Sequence, residues 1–186
     1  MADRREQQEL HGENEDIVCN YVFECTEELE KRGQDFTTVY EEFIDYKKRS
    51  DVSDELPAPP VDDQKDNECV NELFGKDKPN APHLSLSQAH SSAQIDLNIY
   101  HLHTFDASRY FDKWQVNKQW LNVSNTFVIY SFFEHAEVYY FLVLDLVQEK
   151  GTEEEPDGGH EALTNAKLVQ QWIDDATTFR ESEQSK

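Results

Sequence analysis

Basic residues are scarce in this sequence. Its 186 residues carry 17 Lys and Arg against 39 Asp and Glu, a formal net charge of -22. Such a chain repels phosphate, which argues against direct nucleic-acid binding and against an anionic membrane surface. Only 6 Gly are present, and neither a P-loop nor a dinucleotide-binding glycine pattern occurs. A nucleophile elbow and the kinase motifs are missing as well. The three Cys, at positions 19, 25 and 69, form no CxxC spacing. They suggest no disulfide framework and fit a reducing compartment, so a cytoplasmic or nuclear location is expected. No run of 18 apolar residues exists, and Met1 to Glu15 is polar and charged, unlike a secretory leader.

Aromatic residues, by contrast, are plentiful: 11 Phe, 8 Tyr and 3 Trp. A disordered acidic chain would be poor in them, so a packed core is expected. Residues 81–150 hold 13 of these 22 aromatics and a net charge of only -3. The core therefore centres there, with the acid on its flanks.

Periodicity divides the chain further. Residues 1–13 read as a polar tail. From Glu15 to Arg32 the apolar positions Ile17, Val18, Tyr21, Val22, Cys25 and Leu29 follow a helical stripe. Gly33 then suits a C-terminal cap. Asp35 suits the N-cap of a second helix carrying Phe36, Val39, Tyr40, Phe43 and Ile44 and closed by Lys47, Lys48 and Arg49. Residues 14–50 thus read as a helical hairpin. Residues 51–93, acidic and with Pro57, Pro59 and Pro60, read as a linker that order does not require. From Gln94 the period becomes two, so Ile95, Leu97 and Ile99 predict a strand. A short helix is expected from Asp106 or Ser108. Phe127–Phe133 and Val138–Val147 predict two central strands, apolar on both faces. Leu163–Phe179 predicts a last helix, and 181–186 a tail. The expected fold is α+β: a helical hairpin, about three mostly antiparallel strands and a C-terminal helix, with the core at 94–180.

Several residue groups invite chemistry. His101 and His103, two apart in a strand, point the same way and would suit a metal ion, with Glu134, or else His135 or Glu137, as third ligand. The ordinary alternative is a pair of hydrogen-bonded strand histidines. Asp145 interrupts an apolar strand, and an ion pair with Arg109 or Lys113 would account for it. Phe23-Glu24-Cys25-Thr26-Glu27 resembles the LxCxE motif that binds retinoblastoma-type pocket proteins, with Phe in place of Leu. Phe141–Leu146, followed by acids, resembles a SUMO-interacting motif. An ordinary helix and an ordinary buried strand account for these two segments equally simply.

The aromatics exceed what three strands easily bury, and Tyr and Trp anchor interfaces. Tyr110, Trp114, Trp120, Tyr130 and Tyr139, with the acids Glu153, Glu154 and Glu155, are therefore the expected partner-binding residues. The functional expectation leans away from an enzyme. It is an acidic interaction module, an adaptor, assembly subunit or antagonist of a host factor, steered toward a basic protein surface. No cofactor is expected. A polyanion that mimics nucleic acid or binds histones is the first alternative. A His/carboxylate metal or small-molecule domain is the second. A homodimer would complete the apolar faces of the central strands.

Overall fold

The computed structural model describes residues 20–52, 73–80, 82–105, 121–148, 150–151, 156–157 and 159–186. The elements in order are β1 (Asn20–Cys25), α1 (Glu27–Glu30), α2 (Gln34–Val52), β2 (Phe74–Pro79), α3 (Gln88–Asp96), β3 (Ile99–Thr104), β4 (Phe127–His135) and β5 (Val138–Val147). Two short strands follow, β6 (Lys150–Gly151) and β7 (Pro156–Asp157), then a 3-10 helix (Gly159–Thr164) and α4 (Ala166–Gln184). Five strands form one mixed sheet in the order β1-β5-β4-β3-β2. β1 runs parallel to β5, and the other neighbours are antiparallel.

This sheet corrects the expectation of about three mostly antiparallel strands. The added strands lie at its two edges. The stripe through Tyr21 and Cys25 predicts a helix, but Tyr21, Phe23 and Cys25 alternate along β1 and pack on the core facing α2. The same residues satisfy both periods over so short a run. Pairing with β5 over six residues, Asn20↔Val138 to Cys25↔Val143, decides for the strand. The LxCxE-like segment is thus half strand, and Phe23 stacks on Phe141 at 5.1 Å.

At the other edge, β2 arises within the stretch read as a linker. Its sequence, Phe74-Gly75-Lys76-Asp77-Lys78-Pro79, has almost no apolar signal. Asp77 is nevertheless buried, because Lys47 from α2 reaches it at 2.6 Å. Pro79, which lacks an N–H to donate, is tolerated at the end of an edge strand. The strand predicted from Gln94 begins later, at Ile99. Ser87 caps α3 by accepting from the His90 N–H at 3.2 Å, and that helix takes residues 88–96. Asn98 turns the chain with a φ of 48°.

The two central strands and the last helix agree with the periodicity. Phe127–His135 and Val138–Val147 form a hairpin whose turn residues, Ala136 and Glu137, have φ of 49° and 62°. α2 covers one face of the sheet, with Phe36, Phe43 and Tyr46 against Tyr130, Phe141 and Val143. α3 and α4 cover the other, with Trp172, Val169 and Phe179 against Ile129, Phe133 and Leu142. Both apolar faces of β4 and β5 are therefore closed within one chain.

Among the described residues, the five strands and two helical layers take up most of the aromatic side chains. Among the described residues the exposed large apolar side chains are Leu84, Ile95, Leu121 and Val123, none of them aromatic. No helix among these residues is long and apolar enough to cross a membrane. The helix expected from Asp106 lies outside the described residues.

Candidate functional site

Two clusters of polar groups are buried on opposite faces of β2, β3 and β4. On the α2 face, Lys47, Asp77 and Tyr130 form a closed triad. Lys47 Nζ donates to Asp77 at 2.6 Å and to the Tyr130 hydroxyl at 2.8 Å. Tyr130 in turn donates to Asp77 at 2.9 Å. The Lys47 ammonium also lies 4.4 Å from the Tyr130 ring centre. Burial pushes the Lys47 ammonium down and the Asp77 carboxyl up, and each partner's charge opposes the shift. Breaking such a pair is costly, so the triad is a structural tie between α2 and β2.

On the opposite face the buried polar groups are histidines. His101 and His103 alternate with Leu102 along β3, so both point away from α2, with ring centres 5.5 Å apart. Each ring is anchored through Nδ1. His101 Nδ1 lies 2.7 Å from Asn80 Oδ1, and Asn80 Nδ2 donates to Gln94 Oε1 at 3.0 Å. His103 Nδ1 lies 2.8 Å from the Ser124 carbonyl and 3.0 Å from the Ser124 amide nitrogen. The Nε2 atoms of both rings are buried with no hydrogen-bond partner among the described residues.

His160, from the 3-10 helix, joins this group. Its ring lies 6.2 Å from that of His103, and its Nδ1 meets Asn125 Oδ1 at 3.0 Å. Gly159 permits this approach. A Cβ on it would lie 1.8 Å from the Asn125 carbonyl oxygen, so no other residue fits here unmoved. A pocket of about 260 Å³ opens beside the cluster, lined by Lys78, Asn80, Pro82, His83, His101, His160, Leu163 and Thr164.

The local field is cationic although the chain is acidic. Burial, then the neighbours His103, Lys78, His160 and Lys76, lowers His101 to about 2. Burial lowers His103 to about 3, against the Ser124 hydrogen bond, with Lys78, His160 and Lys76 acting in the same direction as burial. Burial and Lys78 lower His160, and burial and Lys76 lower Lys78. The imidazoles are thus neutral proton acceptors beside two lysines. An anion in the pocket would relieve each of these repulsions.

The sequence-expected residues scatter. His101 and His103 come together, but Glu134 is exposed beside the hairpin turn, opposite Tyr139 and far along β4 from Ile129, the partner of His101. No three His, Cys, Asp or Glu side chains among the described residues are grouped to hold a metal ion. Tyr130 is fully buried in the triad and has no surface to offer a partner. Tyr139 is half-buried, stacked on Tyr21 at 5.9 Å. Asp145 pairs with Arg32 at 2.8 Å. Tyr110, Trp114, Trp120, Glu153, Glu154 and Glu155 lie outside the described residues. Sequence reasoning missed Lys78, Asn80, Gln94 and His160. They come from three separate segments, β2 and its end, α3 and the 3-10 helix, and their meeting depends on β2 and on the 3-10 helix, neither of which has an apolar signal.

The family model described as toxin YafO, type II toxin-antitoxin system, matches residues 45–181. Neither a curated protein nor a solved structure matches. The matched span is well over half of the chain, so the chain belongs to that toxin family. This overturns the reading as an acidic adaptor or antagonist of a host factor, and with it the viral setting. It equally overturns the nucleic-acid mimic or histone-binding polyanion and the metal or small-molecule domain. The family is one of toxins, typically ribosome-dependent mRNA endonucleases. Composition reports the average surface, which does not distinguish a toxin from an acidic binding module.

Proposed function

We propose that this member of the toxin family cleaves messenger RNA on the ribosome, with the Lys78–His101 pocket as its reaction centre. One observation carries the proposal: His101, whose buried Nε2 has no hydrogen-bond partner among the described residues, is one of the residues lining a pocket with Lys78 and His160. Cleavage of RNA needs a base for the ribose 2′-hydroxyl, positive charge for the phosphate and a proton for the leaving oxygen.

The pocket supplies all three. His101 Nε2 takes the 2′-hydroxyl proton. The freed oxygen attacks the adjacent phosphorus, and the bond from phosphorus to the 5′-oxygen breaks. The Lys78 ammonium, made more acidic by burial and by Lys76, gives that oxygen its proton. The products are a 2′,3′-cyclic phosphate and a 5′-hydroxyl. His101 is a weak base in the free protein. The bound phosphate opposes the surrounding cations and raises its proton affinity. The net charge of -22 disfavours free RNA, which is consistent with a reaction that relies on the ribosome to present the message. Such a toxin works where the ribosomes of its own cell are. The family lends no support to the nuclear alternative.

The test is cell-free translation with the purified chain and mapping of message ends. The expected result is new ends bearing a 5′-hydroxyl on the translated message and none on the same RNA without ribosomes. An intact message, or ends bearing a 5′-phosphate, contradicts the proposal.

A toxin of this class is paired with an antitoxin protein. The finer reading is that this partner presents a basic surface. It is supported by a groove of about 460 Å³ between β1, α1 and α4, lined by Glu24, Glu27, Glu28, Asp175 and Glu183. Burial, then Glu28 and Asp174, raises the Asp175 carboxyl, so a cation there would be welcome. Raising salt from about 0.1 to 0.5 M shortens the screening length and should slow association of such a partner. A rate unaffected by salt contradicts a basic partner.

A further inference from the structure

We infer that Asn80 and Gln94 are positioning residues that hold His101 in the tautomer with its proton on Nδ1, leaving Nε2 free to accept one. This rests on the reading of the pocket as the site of RNA cleavage. A neutral imidazole carries one proton, and the hydrogen bond at one nitrogen decides which atom holds it. A histidine protonated on Nε2 would be a donor at that atom, and no base.

The direction of the chain of hydrogen bonds is set at its far end. The backbone carbonyl of His90 can only accept. Gln94 Nε2 donates to it at 3.5 Å, so Gln94 turns its Oε1 toward Asn80. Asn80 must then present Nδ2 to Gln94, at 3.0 Å, and Oδ1 to the imidazole. His101 Nδ1 is therefore the protonated atom, donating at 2.7 Å. Each member is placed by backbone. The Asn80 N–H donates to the Ile99 carbonyl at 3.0 Å, and Gln94 lies in α3, which Ser87 caps. Gln94 is 1% and Asn80 5% exposed, so water does not compete for these bonds.

His103 provides the contrast. Its Nδ1 faces a donor and an acceptor from one residue, the Ser124 N–H and carbonyl. Either tautomer is satisfied there. No relay fixes it, and it suits a helper better than the base.

Long-range proton–nitrogen NMR of the imidazoles in the full chain tests this without any substrate. The expected spectrum shows His101 protonated on Nδ1 and unprotonated on Nε2. In Asn80→Ala the proton should move to Nε2, and kcat should fall about 10- to 100-fold with KM little changed. Asn80→Asp should restore the Nδ1 proton. Its added charge, facing His101 alongside Lys76, Lys78, His103 and His160, should move the acid limb of the pH–rate profile upward. His103 signals serve as the control. A wild-type His101 protonated on Nε2, or a tautomer unchanged in Asn80→Ala, overturns the inference. If the wild type cleaves no RNA, the catalytic reading fails, while the tautomer result still decides whether the relay exists.

Discussion

The two faces of β2, β3 and β4 bury polar groups in opposite ways. On the α2 face Lys47, Asp77 and Tyr130 are fully buried and hydrogen-bond one another. On the α3 and α4 face His101 and His103 are each anchored at one nitrogen, and the other is left over. Adjacent residues take opposite parts: Asp77 belongs to the closed cluster and Lys78 to the pocket. A closed cluster stabilises a fold, because its groups have no unused capacity. A cluster with unused acceptors beside a cavity retains capacity for a ligand.

The contrast predicts which substitutions unfold the protein and which only disarm it. Asp77→Asn removes the carboxylate that Lys47 meets at 2.6 Å in the interior, and should lower unfolding free energy by about 3–5 kcal/mol. Urea denaturation measures it. Replacing both partners, Lys47→Met with Asp77→Leu, should recover most of that loss. If the single substitution is as mild as the double, the triad is not the tie described here.

Gly159→Ala should come next. Its Cβ meets the Asn125 carbonyl, so the 3-10 helix must shift and carry His160 away. A loss of about 1–3 kcal/mol is expected, as for other overpacked sites. Cleavage should fall more than stability alone explains.

The pH dependence separates the clusters further. His101 and His103 are held below their ordinary value when folded, to about 2 and about 3. Below about pH 6.5 the unfolded chain takes up protons that the folded chain refuses. Stability from this source is therefore lost as pH falls from about 6.5 toward about 3. The acidic surface titrates in both proteins, so the difference between variants isolates the effect. His101→Gln with His103→Gln should lose less stability between pH 6.5 and 4 than the wild type. Equal slopes would mean that the imidazoles are not held neutral.

The smallest effect should come from the β4–β5 turn, remote from both clusters. Ala136 and Glu137 occupy left-handed backbone that Asn and Gly adopt readily. Ala136→Asn with Glu137→Gly should stabilise by about 1 kcal/mol and leave cleavage unchanged. The melting temperature and the cleavage assay together check this.

Much of the sheet's centre was legible from sequence. β4, β5, α2 and α4 have long apolar runs or stripes, and their burial follows from them. The edges were not. β1 is six residues whose apolar pattern suits helix or strand equally, and only β5 decides between them. β2 buries an aspartate whose partner lies 30 residues away, a pairing that hydrophobic pattern does not encode. The site was half legible. The His101-Leu102-His103 spacing marked the two imidazoles. Their meaning depends on Asn80, which lies 21 residues from His101, and on Lys78 in an unrecognised strand. The acid that dominates the composition carries no signal of the pocket.

One imidazole on the open face, His101, is the proposed base of the reaction. His101→Gln and the wild type should be compared side by side in ribosome-dependent cleavage, with urea denaturation of both. The expected rate is lower by about 100- to 10,000-fold, as for loss of a general base, with a loss of stability too small to explain it. A His101→Gln variant that is equally stable and cuts the message at the wild-type rate would contradict it.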